Sequence, residues 1–346
     1  MPAQTAVALA GSTLTPGSMT GCHARPPWPP HAAAVAPARV AMHNAAMNAP
    51  SLSVDAASGP ATDAVARLVR LLDLEQLDDN LFRSLSQEEG WKRVYGGQVL
   101  GQALAAAQRT APEGRAPHSL HAYFLLPGDP HAPILYQVER ARDGKSFSTR
   151  RVQAIQHGRP IFTLSSSFQV AEDGFEHQEP PPDVPGPEGL EDETTIIRRH
   201  IAVIPEEWRA FLLRPRAVEV RPVGGAGSYA RTRAEPVRRL WFRVAAPLPD
   251  DPALHRAVLA YVSDAHFVTT AILPHGQSFL DPRLQLASLD HAMWFHEDAR
   301  ADDWLLYVMD SPRAGGARGL AFGHIYTRAG RMIASVAQEG LIRLHA

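Results

Sequence analysis

One acidic side chain stands in a largely apolar stretch of the chain, Asp264 within Ala257-Val-Leu-Ala-Tyr-Val-Ser-Asp-Ala-His-Phe-Val268. A carboxylate in such surroundings is costly unless it is paired or hydrogen-bonded. Two readings stand open: a helix cap that accepts from a backbone amide, or a general base held toward water. Gln338 shares an alternating strand face with apolar Val336. Its amide either bonds backbone or serves a bound water, because an amide donates and accepts without changing protonation. Ser288, taken alone, is a strand serine. Gly96-Gly97 precedes a run of strong helix formers that ends at Gln108. Bare amides at that helix start either make a tight entry turn or approach an oxygen on which negative charge develops.

The elements that must position these groups occur twice. His118-Ser-Leu-His-Ala-Tyr-Phe-Leu-Leu-Pro-Gly-Asp129 returns as Ala287-Ser-Leu-Asp-His-Ala-Met-Trp-Phe-His-Glu-Asp298. His157-Gly-Arg-Pro-Ile-Phe-Thr returns as Ala329-Gly-Arg-Met-Ile-Ala-Ser335. The offset, roughly 170 residues, makes the repeat domain-sized. The copies differ at polar positions. Tyr95-Gly-Gly-Gln98 faces Tyr261-Val-Ser-Asp264, and Gln338 falls where the first half has Ser166. A duplicated scaffold with its chemistry in one copy is the simplest reading.

Periodicity and turn residues predict the elements. The first half reads as a helix over 64–72, short extended pieces at 81–84 and 92–95, and a helix from Gly96 that is buried nearly all round. Strands follow at 119–125, 134–142, 147–157 and 159–170, with turn chemistry at Asp143-Gly144 and His157-Gly158. Residues 173–215 form a proline-rich connector, with a helix at 205–213. The second half adds strands at 217–222 and 240–244 and a helix at 252–260 entered through Asp250-Asp251. The match to the first half places a central helix over 264–273, ended by Pro274. Strands are predicted at 284–295, 304–311, 318–327 and 332–341. The chain thus divides into an Ala/Pro-rich tail (1–60), an N-terminal repeat (61–172), the connector (173–215) and a C-terminal repeat (216–346). The tail reads as disordered, or as a misassigned start with Met42 or Met47 the true one. The fold class is α+β: a central helix wrapped by a curled antiparallel sheet, twice.

Composition narrows the function. The formal net charge of -2 excludes a general nucleic-acid or anionic-membrane surface. The single cysteine, Cys22, excludes an intrachain disulfide and a thiolate metal cluster from this chain alone. No stretch is expected to reach the unbroken apolar length of a membrane span. None of the 16 histidines sits in a His-Glu-x-x-His arrangement, so no metal site is expected.

Several motifs then share one resemblance. They are Val94-Tyr-Gly-Gly-Gln-Val-Leu-Gly-Gln-Ala103, the segment 118–130, Arg142-Asp-Gly-Lys-Ser-Phe-Ser148 and Gly174-Phe-Glu-His-Gln178 in the first half. In the second half they are Leu289-Asp-His-Ala-Met-Trp-Phe-His296, Trp304-Leu-Leu-Tyr307 and Val336-Ala-Gln-Glu-Gly340. Over residues 64–343 the chain resembles the acyl-CoA thioesterase II family. The resemblance implies a double hotdog fold and hydrolysis of acyl-CoA, of medium to long chain, by water without a covalent acyl-enzyme. It implies that Asp264, Ser288 and Gln338 hold and activate that water. The family often has threonine at the position of Ser288; serine keeps the hydroxyl but loses the methyl that stiffens χ1.

The same resemblance sets the partners. No cofactor is expected, since coenzyme A is part of the substrate. Its phosphates call for basic groups, and Arg142 and Lys145, with Arg150 and Arg151 beside them, and Arg318 with Arg313 in the second half, are the candidates. Gly96 and Gly97 are the candidates for the thioester carbonyl. Homodimers or homotetramers and a cytoplasmic location are expected. Three alternatives compete with this reading. A serine triad of Ser288, His291 or His275, and Asp264 lacks the Gly-x-Ser-x-Gly elbow. An enoyl-thioester hydratase or dehydratase needs a histidine and an acid converging on the acyl chain, and Asp264 with His266, two apart, do not share a helix face. A non-catalytic acyl-CoA binder would bind without releasing thiol.

Overall fold

Leucines and valines at helical spacing build α1 (Pro60–Leu72), which buries Val65, Leu68, Leu71 and Leu72. It starts four residues before the expected Ala64, because Pro60 suits the first turn of a helix. The computed structural model describes residues 59–85, 93–225, 229 and 231–345. The predicted tail lies outside these apart from Gly59 and Pro60, and so does Lys92 of the predicted piece at 92–95.

In the first half, β1 (Leu74–Asp78) and β2 (Leu81–Ser84) are followed by α2 (Gly96–Thr110). Then come β3 (Arg115–Phe124), β4 (Leu135–Asp143), β5 (Phe147–Gln156) and β6 (Arg159–Val170). Helix α2 is buried nearly all round, with Leu100, Ala103, Leu104, Ala106 and Ala107 fully enclosed. The hairpin from β5 to β6 turns at His157 and Gly158, both at positive φ (49° and 72°), as the sequence predicted.

The connector holds more structure than its prolines suggested. Besides α4 (Glu206–Leu213) it contains α3 (Glu193–Arg199), capped by Asp192, whose Oδ1 accepts from the Thr195 amide at 3.0 Å. The second half contains β7 (Val218–Val223), β8 (Val237–Val244), α5 (Pro252–Ser263) and α6 (Phe267–Thr270). It ends with β9 (Leu284–Ser288), β10 (Asp290–Phe295), β11 (Leu305–Gly315), β12 (Arg318–Thr327) and β13 (Met332–Leu344).

Two second-half predictions need correction. The helix expected over 264–273 is broken: α5 runs on to Ser263, Asp264 is its C-cap, and His266 takes a left-handed φ of 63° before α6 begins. Apolar periodicity is unbroken across this point, so the break is invisible to spacing. The strand expected over 284–295 is two strands. At Leu289 the amide bonds Glu339 O and the carbonyl accepts from Phe124 N, so the chain changes partner there.

The strands form one antiparallel sheet in the order β1-β2-β4-β5-β6-β3-β10-β13-β12-β11-β8-β7, with β9 also pairing β13. The halves join where β3 meets β10, Leu120 opposite Met293. This is the double hotdog arrangement. The segment Pro252–His275 has the length and apolar composition of a membrane span, contrary to the expectation that no stretch would; 61% of its most apolar window is buried, and it is the core of the second half.

Inside the curl, α2 and α5 lie antiparallel and very close. A Cβ on Gly97 would stand 2.1 Å from Tyr261 O, and one on Gly101 2.9 Å from Ala257 O. Further along, Gln108 Nε2 donates to Ala253 O at 3.1 Å. The C-terminal end of α2 is closed by Arg150, which is fully buried and donates to Thr110 O (2.8 Å) and pairs with Asp143 (2.8 Å). A cation there offsets the negative end of the helix dipole, so Arg150 is a structural cap and not a phosphate ligand.

Gly97→Ala must push the helices apart. It is expected to lower stability by about 2–4 kcal/mol. The check is the urea midpoint, which should fall with the slope of the transition unchanged.

Candidate active site

The C-terminal end of α5 and the N-terminal end of α2 meet at the point of closest approach. Asp264, at the cap of α5, turns its carboxylate toward β9 and β13. Ser288, the last residue of β9, donates from Oγ to Asp264 Oδ1 at 3.0 Å. Gln338, on the buried face of β13, donates from Nε2 to the same oxygen at 2.8 Å. Register explains the convergence: β9 pairs β13 with Ser288 opposite Gly340, two residues beyond Gln338. The three residues are far apart in sequence and meet in one place.

The second carboxylate oxygen, Oδ2, faces α2. A Cβ on Gly96 would lie 2.7 Å from it and 3.0 Å from the Phe124 ring. Tyr95, the N-cap of α2, makes no side-chain cap bond and instead donates from its hydroxyl to Tyr261 O at 3.1 Å. The first backbone acceptor in the turn, Tyr95 O, takes the amides of Gln98 and Val99. Among the described residues, the amides of Gly96 and Gly97 bond no protein acceptor, as expected for the first turn of a helix. Gly96 and Gly97 therefore do stand at the site.

His291, a member of the serine-triad alternative, is not bonded to Ser288. It is fully enclosed one layer behind the carboxylate, its Nε2 2.9 Å from Ser263 Oγ, and Tyr307 Oη donates to Ser263 O at 2.8 Å. Burial pushes the His291 imidazole down to about 4, against the charge of Asp264 and the Gln338 amide, which favour the protonated form. It is neutral at pH 7. Two buried atoms beside the carboxylate, Gln338 Oε1 and His291 Nδ1, lack a protein hydrogen-bond partner. Such atoms concentrate at functional sites.

A cavity of about 720 Å³ reaches Asp264. Its walls include Leu68 and Leu71 of α1, Val218 and Val220 of β7, and Phe242 of β8. It has one internal ionic cluster. Glu193, buried at the start of α3, accepts from Arg216 and from the Tyr229 hydroxyl (3.1 Å), and His266 Nε2 lies 3.2 Å away. Burial opposes ionisation of Glu193, yet its neighbours hold it below the usual carboxylate range. Burial pushes the His266 imidazole down. No signal in the sequence marked Glu193, because its partners Arg216, Tyr229 and His266 come from three separate segments.

The two alternative constellations do not form, and the candidate phosphate ligands lie away from the cavity. Ser288 bonds Asp264 and no histidine, so there is no serine triad. His266 gives its Nε2 to Glu193, so Asp264 and His266 are not an acid–imidazole pair. Arg142 and Lys145 sit at the β4–β5 hairpin, where Arg115 holds Gly144 O (2.7 Å) and Lys145 O (3.0 Å), and neither lines the cavity. Arg318 pairs with Glu339 at 2.9 Å, also away from the cavity walls. Among the described residues no group of three His, Cys, Asp or Glu side chains is arranged to hold a metal ion.

Comparison with known proteins identifies relatives along most of the chain. The family described as "Acyl-CoA thioesterase" matches residues 213–341, and "Acyl-CoA thioesterase N-terminal domain" matches residues 87–169. Acyl-CoA thioesterase 2 of Haemophilus influenzae is 42% identical over 282 residues, covering 82% of this chain and 99% of its own. Human acyl-coenzyme A thioesterase 8 is 42% identical over 79% of this chain and 88% of its own. Among solved structures, an acyl-CoA thioesterase II from Mycobacterium marinum superposes with a TM-score of 0.66 at 42% identity, covering 81% of this chain and 99% of its own. A hot dog fold protein of unknown function from Alicyclobacillus acidocaldarius gives a TM-score of 0.65 at 19% identity over 81% of this chain and 99% of its own, a likeness of fold alone.

The buried His291 implies a pH dependence. Its folded pKa, about 4, lies below the ordinary 6.5, so the unfolded chain binds the extra proton between these values. Its contribution is fully present above pH 6.5 and is lost as pH falls toward 4, at up to about 1.4 kcal/mol per pH unit. His291→Gln, which keeps a partner for Ser263 but does not titrate, should show a shallower loss between pH 6.5 and 4.5. Urea melts at a series of pH values measure the difference; parallel curves would count against it.

Proposed function

The chain belongs to the acyl-CoA thioesterase II family, and we propose that Asp264, Ser288 and Gln338 activate the water by which it hydrolyses acyl-CoA. The observation that carries the reading is the asymmetry of the Asp264 carboxylate. Oδ1 is held by two donors, Ser288 Oγ and Gln338 Nε2. Oδ2 faces the start of α2, where a reacting group would meet both the base and the free amides.

The chemistry follows from that placement. Water donates a proton to Asp264 Oδ2 and its oxygen attacks the thioester carbonyl carbon. Gln338 Oε1, which bonds no protein group, is free to accept the second water hydrogen. The amides of Gly96 and Gly97, at the positive end of α2, donate to the tetrahedral oxyanion. When the oxyanion collapses the C–S bond breaks, and the proton on Asp264 passes to the departing thiolate. The products are a carboxylic acid and coenzyme A, and no bond to the enzyme forms.

The apolar walls and volume of the cavity support acyl groups of medium to long chain. Dimers or tetramers belong to the same reading; Tyr123, Trp294 and Phe322, exposed on the joined strands β3, β10 and β12, support association. A cytoplasmic location is in keeping with one cysteine in 346 residues.

Thiol release from a panel of acyl-CoAs, short to long, tests the proposal. Asp264→Asn should lower kcat by about 10²–10⁴ in a folded protein. Ser288→Ala and Gln338→Ala, each removing one donor to the carboxylate, should cost less, on the order of 10- to 100-fold. Near-normal release by Asp264→Asn would remove Asp264 from the mechanism. Consumption of an enoyl-CoA double bond without thiol release would favour hydration instead.

A further inference from the structure

The cavity that reaches Asp264 is lined by arginine from two segments, α1 and the stretch that follows α4. Arg67 and Arg70 line it from α1 and are exposed. Arg214 and Arg216 line it from the stretch after α4. Two carboxylates share the lining, and both are engaged. Glu193 is matched within the cavity by Arg216, and Asp264 is held by Ser288 and Gln338.

The α1 pair is unusual. Three residues apart, Arg67 and Arg70 lie close on one helix, a like-charge arrangement that is mildly destabilising. Among the described residues neither has an ion-pair or hydrogen-bond partner. Several other arginines are held in ion pairs, Arg83 with Glu75, Arg256 with Asp298, Arg300 with Asp302 and Arg331 with Glu297, whereas the α1 pair is left to solvent at the cavity. The Arg214 guanidinium lies 4.3 Å over the Phe211 ring, which fixes its direction. Planar, always-charged guanidinium groups at a cavity mouth suit the oxygens of phosphate.

We propose that Arg67 and Arg70 of α1, with Arg214, bind the phosphate groups of coenzyme A, so that the thioester arm enters the cavity between α1 and α4. The assignment rests on the acyl-CoA reading above. It replaces Arg142, Lys145 and Arg318, which do not line the cavity. It also gives α1 a role beyond packing: the helix buries Leu68 and Leu71 against the core and turns its guanidinium groups to the mouth.

The test compares acyl-CoA with the matching S-acyl pantetheine, which carries no phosphate, using the full chain and an Arg67→Gln/Arg70→Gln double variant. Both residues are exposed, so folding is not at stake. The double variant should raise KM for acyl-CoA by on the order of 10-fold per arginine relative to the pantetheine thioester. In the wild type, KM for acyl-CoA should climb with salt, and in the variant it should climb less. Equal effects on both substrates, or none on either, would overturn the proposal. Calorimetric binding of free coenzyme A to both proteins separates this claim from the hydrolysis reading. Weaker binding to the variant by a wild type that releases no thiol would keep the site and discard the activity. Equal binding would discard the site even if thiol is released.

Discussion

The close approach of α2 and α5 is the constraint on which the site depends. Two helices normally stand 8–10 Å apart because side chains keep them there. At Gly97 a single added methyl would meet a backbone carbonyl, so the two axes come as near as backbone allows. The consequence is electrostatic. The capping carboxylate at the end of α5 is carried to the start of α2, where the amides of Gly96 and Gly97 are free and the dipole is positive. A side chain at Gly96 would fill the space in which the reacting groups meet.

Around this contact the two halves have diverged. In the first, Ser166 Oγ donates to Ser119 O, and Gln98 and Gln102 lie side by side within a network that includes the Tyr136 hydroxyl. In the second, the matching positions hold Gln338 and Asp264, joined to each other. The same register that makes the first copy a packed polar core makes the second a charged one. Each half needs the other, since the base comes from the second and the helix start from the first.

The break after Asp264 is held from outside the repeat. His266 is drawn into a left-handed conformation and lies against Glu193, whose charge is matched by Arg216 and Tyr229. Non-glycine residues take that conformation only when their surroundings fix it. The connector therefore does more than join the halves. Through α3 it fixes the turn that releases the Asp264 carboxylate from its helix, and through the segment after α4 it lines part of the cavity.

The sequence by itself determined the tight turns, the repeat and the strands, except for β1 and the division of β9 from β10. Those features are local: alternation over a few residues selects an extended chain, and His157-Gly158 and Ala329-Gly330 select a turn without reference to anything distant. Asp264 was legible because a carboxylate amid apolar residues is a conflict that needs a partner. Gln338 and Ser288 gained meaning from resemblance, since a glutamine or serine on a strand carries no such conflict. Only the tertiary structure decided which partners the charged groups found. Arg150 resembles Arg142 in the sequence, yet it is enclosed beneath α2, and Arg67 and Arg70 look like ordinary surface charges until the cavity is seen to open beside them. The helix break at Asp264 and the strand break at Leu289 belong to the same class. Each is set by a hydrogen-bond partner dozens of residues away, and spacing along a chain does not record what lies across a fold.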